Sequence, residues 1–425
     1  MYRGIEVIGM NGKRPFAMKM DPGAAEVIAA LHRAGYKAYA VGGCVRDSLM
    51  GKTPHDWDIC SSALPEQVLA VFGEARCIPT GLKHGTITVK QSGGLYEVTT
   101  FRTEGTYTDG RHPDAVDFVT RVEEDLSRRD FTMNAMAYND EEGLVDPFVG
   151  REDLLVRREI RAVGEPVQRF SEDALRIMRL FRFAAREQLG MDGATLDAAL
   201  MLRGNLRRIS AERIREEMLG LLAAKQPGRW MLPEIFGVIL PEAAGDEAAF
   251  AHARRMIDAA PAVKEVRLAA LLSGAGDEAR AIMRRLRFDV KTIDAVCALV
   301  SLKDFAPETE AHALRAQTRR FLGRHGDECA RHLCLLRAAQ REAGEALPAL
   351  DAFLSMAQAV RAQGICCSLK ELAVSGDALI REAGVRPGPA LGAMLAQLLE
   401  AVIDERLPNQ REALLEAARA EECAE

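Results

Sequence analysis

The sequence predicts an α+β protein made of two stretches of different character. Short strand and helix signals alternate, with frequent glycine, over residues 21–150. From about Arg151 onward the composition shifts to Ala, Leu, Arg and Glu, and the β-branched clusters thin out. The first stretch therefore reads as a head built on a sheet and the remainder as almost wholly helical.

The first helix signal runs from Gly23 to Ala34 and is stopped by Gly35. Strands are expected at 37–41, 56–60, 86–90, 95–102 and 116–119. The stretch Ala38 to Ile59 holds the densest chemistry. A short apolar strand leads to Gly42 and Gly43, then to a helical turn with Arg46 and Asp47, then to a strand with Asp56 and Asp58 on alternate positions. Residues two apart in a strand point the same way, so both carboxylates should face one side while Trp57 and Ile59 face the other. The glycines let the backbone approach a ligand closely, and the helix start offers free N–H groups to an anion. Alone, Asp-x-Asp reads as a solvated strand end. Beside a phosphate-binding turn, the two carboxylates suit a divalent metal for phosphoryl or nucleotidyl transfer.

Asp146-Pro147 and Gly150 mark the end of the head, and breaks at Lys225–Gly228, Pro307 and 343–349 divide the rest into three helical segments. At 425 residues, two to four domains are expected. A composition of 48% hydrophobic and 28% charged residues excludes a disordered chain, and a net charge of −6 gives no global sign of a polyanion partner. Nine scattered cysteines without a C-x-x-C pair fit a reducing compartment and suggest no zinc site. The N-terminus lacks the apolar core of a signal peptide, and no run is long enough for a membrane span. A soluble cytoplasmic protein is expected.

VGGCVRD (41–47) with Asp56-x-Asp58 resembles the signature of the polymerase-β-like nucleotidyltransferases, in the class II branch of CCA-adding tRNA nucleotidyltransferases and bacterial poly(A) polymerases. Further stretches resemble that branch in order: LKHGTITV (82–89), YEVTTFR (96–102), EDLSRRDFTMNAMAYN (124–139) and RFSEDALRIMRLFRFAAR (169–186). The resemblance implies a head with a small mixed sheet (1–150), a helical neck that recognises the nucleotide (151–225), a helical body (226–340) and a tail that binds tRNA (341–425). It implies Mg²⁺ on Asp56 and Asp58, a third carboxylate at Glu97, a triphosphate cradle at Gly43 and Arg46, and a nucleotide contact from Arg129, with Arg128 an alternative. Glu97 otherwise reads as a polar residue on a solvent-facing strand, and the two arginines as surface partners of Asp125 or Asp130. A helix carrying Phe131, Ala135 and Met136 is expected after them.

The stretch from Ser171 bears on base choice. Ser171 reads as an N-cap with Glu172 and Asp173 in the first turn, and capping alone would account for Asp173. Yet Asp173, Arg176, Arg179 and Arg182 recur every three residues. At 3.6 residues per turn, each step moves them about 60° around the axis, so they trace a slanted stripe. By resemblance this is the nucleotide-recognition helix. An Asp accepts from the exocyclic amino group of cytosine or adenine, and an Arg donates to the adjacent ring nitrogen. Uracil and guanine invert both groups, and each unpaired contact costs about 1–3 kcal/mol. One Asp173/Arg176 pair would thus admit C and A without a template. Arg179 and Arg182 are expected to support the helix or touch phosphates.

TYTDGRHPDAVDFV (106–119) reads as a mobile loop or a plain connector, and it resembles the segment that helps relatives switch from C to A addition. His55 lacks the partner histidines of an HD phosphohydrolase and reads as a loop residue. Pro387-Gly388-Pro389 should end one helix and start another near Ala390 in a tail that either packs or holds a phosphate. The expected function is template-independent addition or repair of the tRNA 3′-terminal CCA from CTP and ATP, with release of pyrophosphate. The tRNA would be held at its 3′ end and acceptor/T arm, by a monomer or homodimer. Alternatives are a poly(A) polymerase, an A-adding or CC-adding enzyme, or a non-catalytic RNA-binding protein on the same fold.

Overall fold

A computed structural model describes residues 16–81, 85–104 and 116–422, and the chain divides into two compact units, 1–221 and 222–425. The segment 105–115, which holds most of the expected mobile loop, and residues 82–84 lie outside the described residues.

In the first unit, Asp21 caps α1 (Pro22–Arg33), accepting from the N–H groups of Gly23 and Ala24 at 3.0 and 3.1 Å. Then come β1 (Ala38–Val41), α2 (Gly43–Leu49), β2 (Asp58–Ser61), α3 (Pro65–Phe72), β3 (Cys77–Gly81), β4 (Thr86–Gln91) and β5 (Gly94–Thr100). The strands β6 (Arg102–Glu104) and β7 (Val116–Phe118) pair as a separate ribbon. After α4 (Val122–Ser127), β8 (Ala137–Asn139) and β9 (Gly143–Val145) complete the main sheet. Its order is β3-β4-β5-β2-β1-β8-β9, with β2 and β5 parallel and the other neighbours antiparallel. This is the expected small mixed sheet.

The sheet positions the site because β1, the inner strand beside β2, is immobilised. All four residues of β1 are buried, with Tyr39 and Val41 in a cluster that includes Cys60, Phe101, Val122, Leu126, Ala135 and Ala137. The strand signals at 37–41, 86–90 and 116–119 each miss the observed strand by one residue at one end, while the run at 95–102 breaks at Phe101. The helix expected after Arg129 is not formed. A short 3₁₀ turn at Thr132–Asn134 leads instead into β8. Phe131, Met133, Ala135 and Met136 are all fully buried, and burial on every side is a pattern that helical periodicity does not describe.

The rest of this unit is helical apart from one short parallel pair. It comprises α5 (Gly150–Glu152), β10 (Glu159–Ile160), α6 (Pro166–Glu172), α7 (Leu175–Glu187), β11 (Gly190–Met191), α8 (Gly193–Leu202) and α9 (Ala211–Leu222).

The second unit is all helical among the described residues: α10 (Pro233–Ile239), α11 (Pro241–Ala244), α12 (Glu247–Ala259), α13 (Lys264–Leu271), α14 (Ala279–Arg285), α15 (Val290–Ser301), α16 (Ala311–Glu342), α17 (Asp351–Ala362), α18 (Gly376–Ala383), α19 (Pro389–Ile403) and α20 (Arg411–Glu422). Gly388, with φ 119°, turns the chain into Pro389, so α19 starts one residue before the expected position. Leu379, Leu398, Leu414 and Ala418 join a core shared by α18, α19 and α20. Among the described residues no helix is long and apolar enough to cross a membrane.

Candidate active site

β1 delivers the chain into Gly42, whose φ of 76° and ψ of −121° lie where only glycine is comfortable. Its N–H donates to the Met136 carbonyl at 3.1 Å, tying the turn to the entry of β8. A Cβ at Gly42 would come within 2.9 Å of the Arg129 Nη1, so the missing side chain makes room for that guanidinium. Arg129 is anchored by Nη1 to the Asn134 carbonyl and by Nη2 to Asp125, each at 3.5 Å. Arg128 is held more tightly by the same Asp125, at 2.9 and 3.0 Å.

One turn into α2, Arg46 is almost wholly buried. Its Nε donates to Asp47 at 2.9 Å and its Nη1 to the Asn134 side chain at 2.7 Å. Its guanidinium lies 5.5 Å from the Phe183 ring centre, and Nη2 sits 3.6 Å from where a Cβ of Gly43 would be. Gly43, Arg46 and, next to Gly42, Arg129 therefore share one small region.

The two aspartates do not share a strand. β2 begins at Asp58, where its pairing with β5 starts, and Asp56 precedes it in exposed loop. Nor does the expected alternation hold along β2: Asp58 is open, but Ile59, Cys60 and Ser61 are all buried, because this inner strand is covered on both faces. The parallel register places Asp58 directly opposite Glu97 of β5. Although Asp58 is open on one side, the protein mass around it raises its pKa. The Glu97 and Asp56 carboxylates add to that rise, and Arg129 works against it. Behind it, burial and the Asp58 charge push the Cys44 thiol up to about 12, which leaves it a neutral packing group.

Asp56, Asp58 and Glu97 offer hard oxygen donors, and no salt bridge to a described cation neutralises them. Mutually repelling carboxylates of this kind fit a small divalent cation. Among the described residues no three acidic, histidine or cysteine side chains converge closely enough to hold a metal by themselves. A divalent cation at Asp56 and Asp58 would need further oxygens from outside the protein.

The expected N-cap at Ser171 is corrected by the structure. Ser171 lies inside α6, its hydroxyl donating to the Val167 carbonyl at 2.7 Å, so this residue back-bonds within its helix instead of opening one. The chain breaks at Asp173, in extended conformation, and α7 begins at Leu175. Asp173 Oδ1 accepts from the Leu175 N–H at 3.0 Å, two residues on in the turn that leads into α7, whose N-cap is Ala174, while Oδ2 accepts from Arg213 of α9 at 2.7 Å. Arg176 turns to Glu172 at 2.8 Å and to the carbonyls of Arg128 and Arg169 at 3.0 and 3.2 Å. Asp173 and Arg176 are therefore fixed by separate partners.

The other two arginines of the stripe also have partners. Arg179 pairs with Asp130 at 2.6 Å, and Arg182 with Glu217 of α9. Burial opposes ionisation of Asp130, but Arg179 and the Asn134 amide outweigh it and hold its pKa below the usual carboxylate range. The guanidiniums of Arg179 and Arg182 lie 5.2 and 4.2 Å from the same Phe183 ring that Arg46 faces. Gly220 lets this happen, since a Cβ there would meet the Arg182 stem at 2.5 Å.

Sequence reasoning missed Asn134, Glu187, Arg213 and Glu217 as members of this region. The one readable signal was the spacing of Arg213 and Glu217, four apart on a helix and so on one face.

Comparison with known proteins gives this geometry a family. Residues 38–161 match the poly(A) polymerase head domain, 189–232 the probable RNA and SrmB-binding site of polymerase A, and 264–418 a putative second domain of tRNA nucleotidyltransferase. The CCA-adding enzyme of Streptococcus thermophilus is 35% identical over 395 residues, covering 92% of this chain and 94% of that protein. That of Lacticaseibacillus paracasei is 37% identical over 399 residues, covering 92% and 94%.

The chain belongs to the CCA-adding enzyme family.

The solved structure of the Bacillus stearothermophilus CCA-adding enzyme in complex with CTP superposes with a TM-score of 0.78 at 32% identity, covering 95% of this chain and 99% of that one. The Thermotoga maritima CCA-adding enzyme complexed with tRNA shares the fold at a TM-score of 0.60 and 18% identity, with coverage of 94% of each chain. Family membership makes the chain a nucleotidyltransferase and accounts for the sheet, the glycine turn and the helix α7 lying in one unit.

Proposed function

We propose that this protein adds or repairs the 3′-terminal CCA of tRNA, using CTP and ATP and releasing pyrophosphate. The observation that carries the reading is the register of β2 on β5, which sets Asp58 opposite Glu97 beside the turn bearing Gly43 and Arg46. A member of the CCA-adding enzyme family with its carboxylates in that arrangement has what nucleotidyl transfer requires.

In this reading Asp56 and Asp58 hold Mg²⁺, which when bound supplies charge neutralisation at the α-phosphate and activation of the attacking hydroxyl. Glu97 assists, by completing the metal shell or by drawing the proton from the tRNA 3′-hydroxyl. Gly43 leaves the backbone open to the triphosphate, with Arg46 and Arg129 adding positive charge from beneath the turn. Asp173 and Arg176 read the base, and the contacts of Asp173 with Leu175 and Arg213 hold that acceptor in place before the nucleotide arrives. Arg179 and Arg182 keep α7 in position against Asp130 and Glu217. We assign 1–150 as head, 151–225 as neck, 226–340 as body and 341–425 as a tail for the acceptor/T arm, and place the enzyme in the cytoplasm.

The test uses tRNA transcripts ending before CCA, after C and after CC, with CTP and ATP offered separately and together. Growth to CCA and then arrest is expected. Long oligo(A) tails, or no incorporation at all, would overturn the reading.

A further inference from the structure

The helix α7 carries the base-reading residues at its start, and at its end it carries a carboxylate that the proposed chemistry does not use. The Glu187 side chain has no exposed surface. Its Oε2 accepts from Lys52 Nζ at 2.5 Å, while Oε1 lies 3.2 Å from Arg186 Nε and 3.7 Å from Arg46 Nε. One buried carboxylate thus has three cations around it from two separate segments of the chain: Lys52 donates a hydrogen bond to it, while Oε1 accepts none and has Arg186 and Arg46 only as neighbouring charges.

Those segments matter. Lys52 sits where α2 has ended, just past Gly51 with φ 71°, on the loop that runs directly to Asp56 and Asp58. Arg46 lies beneath the glycine turn. Asp47, Asn134 and Glu187 surround its guanidinium, and Phe183 of α7 faces it. The loop that supplies the aspartates and the arginine below the phosphate turn are therefore both tied to the last turn of the base-reading helix.

A purely stabilising role is a poor explanation for this arrangement. Apolar residues of similar volume generally serve stability as well as a buried ion pair does, whereas a buried pair with directional partners fixes register. The half-exposed ammonium of Lys52 has also been brought down onto a carboxylate that faces no solvent.

We propose that Glu187 is a positioning residue: through Lys52 and Arg46 it locks the loop before Asp56 and the phosphate turn to α7, holding the aspartates in one frame with the base reader. This inference rests on the nucleotidyl-transfer reading above for its kinetic consequence, but not for its structural one.

The experiment compares Lys52→Met, Glu187→Gln and the double variant. The first readout is hydrogen–deuterium exchange of the free protein over residues 50–58. The second is steady-state CTP incorporation into the transcript ending before CCA. Both single variants should exchange faster over 50–58, with β1 and β5 unchanged. Lys52→Met should lower kcat about 10- to 100-fold, the scale expected when reacting groups are displaced by about 1 Å, with the KM for CTP held within about twofold. Glu187→Gln, which also loosens Arg46, should lower kcat and raise that KM. The double variant should match Glu187→Gln, because both substitutions open one latch.

Unchanged exchange over 50–58 would overturn the latch. So would kcat effects that multiply in the double variant, or a loss of kcat accompanied by exchange that is faster throughout the sheet. If the unsubstituted protein incorporates no CTP, the functional reading fails on its own, and the exchange data still decide the latch.

Discussion

Replacing Asp58 by asparagine should make the metal-free protein more stable while slowing its chemistry by about 10³-fold. Asp58 stands opposite Glu97 on the neighbouring strand, which puts the two backbones about 4.8 Å apart. Two unit charges about 5 Å apart repel by roughly 3 kcal/mol at an effective dielectric of about 20 and by roughly 0.8 kcal/mol in water. Both side chains are open to solvent and Arg129 offsets part of the repulsion, so the relief on neutralising Asp58 should be about 0.5–1 kcal/mol. That corresponds to a rise in Tm of about 1–4 °C for a unit of this size.

The sign with pH follows from the direction of the shift. Asp58 titrates higher in the folded state, so the native protein binds more protons, and this group subtracts stability as pH rises from the ordinary carboxylate range through its raised pKa. Asp58→Asn should lack that component. Thermal melts in EDTA from about pH 4 to about pH 8 measure it. Adding MgCl₂ should raise the Tm of the unsubstituted protein by mass action and leave that of the variant nearly unmoved. Incorporation of CTP should fall by about 10³-fold, since losing several kcal/mol of charge stabilisation costs a factor of ten per 1.36 kcal/mol. A variant that melts lower than the unsubstituted protein in EDTA, or that keeps its incorporation rate, would refute the reasoning.

Asp130→Asn should cost about 2–3 kcal/mol by breaking the bond to Arg179. Because the folded pKa of Asp130 is lowered, its contribution is complete above the ordinary carboxylate range and disappears as pH falls through the folded value, so the difference in Tm between the two proteins should shrink only in acid. Gly42→Ala should destabilise by about 1–3 kcal/mol, since it places a side chain in strained backbone and pushes on Arg129. Its KM for CTP should rise more than that of a Gly35→Ala control, whose Cβ would meet nothing within 4 Å. Asp173→Ala should retain its fold by circular dichroism but discriminate against UTP at least about tenfold less, the value of one lost hydrogen-bond contact; full discrimination would sink the base-reading role.

Much of the head was legible because its signals are local. Gly42 and Gly43 after a buried strand form a turn, and Arg176, Arg179 and Arg182 at three-residue spacing lie on one helix, because both patterns span only a few residues of backbone. The expected strand edge through Asp56 and the extension of the stripe to Asp173 did not form, since β2 starts at Asp58 and α7 at Leu175. Local pattern failed where burial came from all sides. Phe131 to Met136 carry no period because sheet, α2 and α5 surround them, and their path became a turn and a strand instead of a helix. It failed again at Ser171, where the hydroxyl bonded back into α6 and the break moved to Asp173.

Partnership was decided by the tertiary structure alone. Nothing in the spacing of Asp58 and Glu97, nearly forty residues apart, tells that a parallel register will set them opposite each other. Nor does the sequence tell that Asp173 is gripped by Arg213, or that the last residue of α7 reaches the loop before Asp56. The sequence by itself determined which chemical groups exist and how each short element presents them, because those follow from backbone periodicity and glycine's freedom. Which groups meet was decided by strand register and helix packing, because buried charges find partners only through the fold that surrounds them.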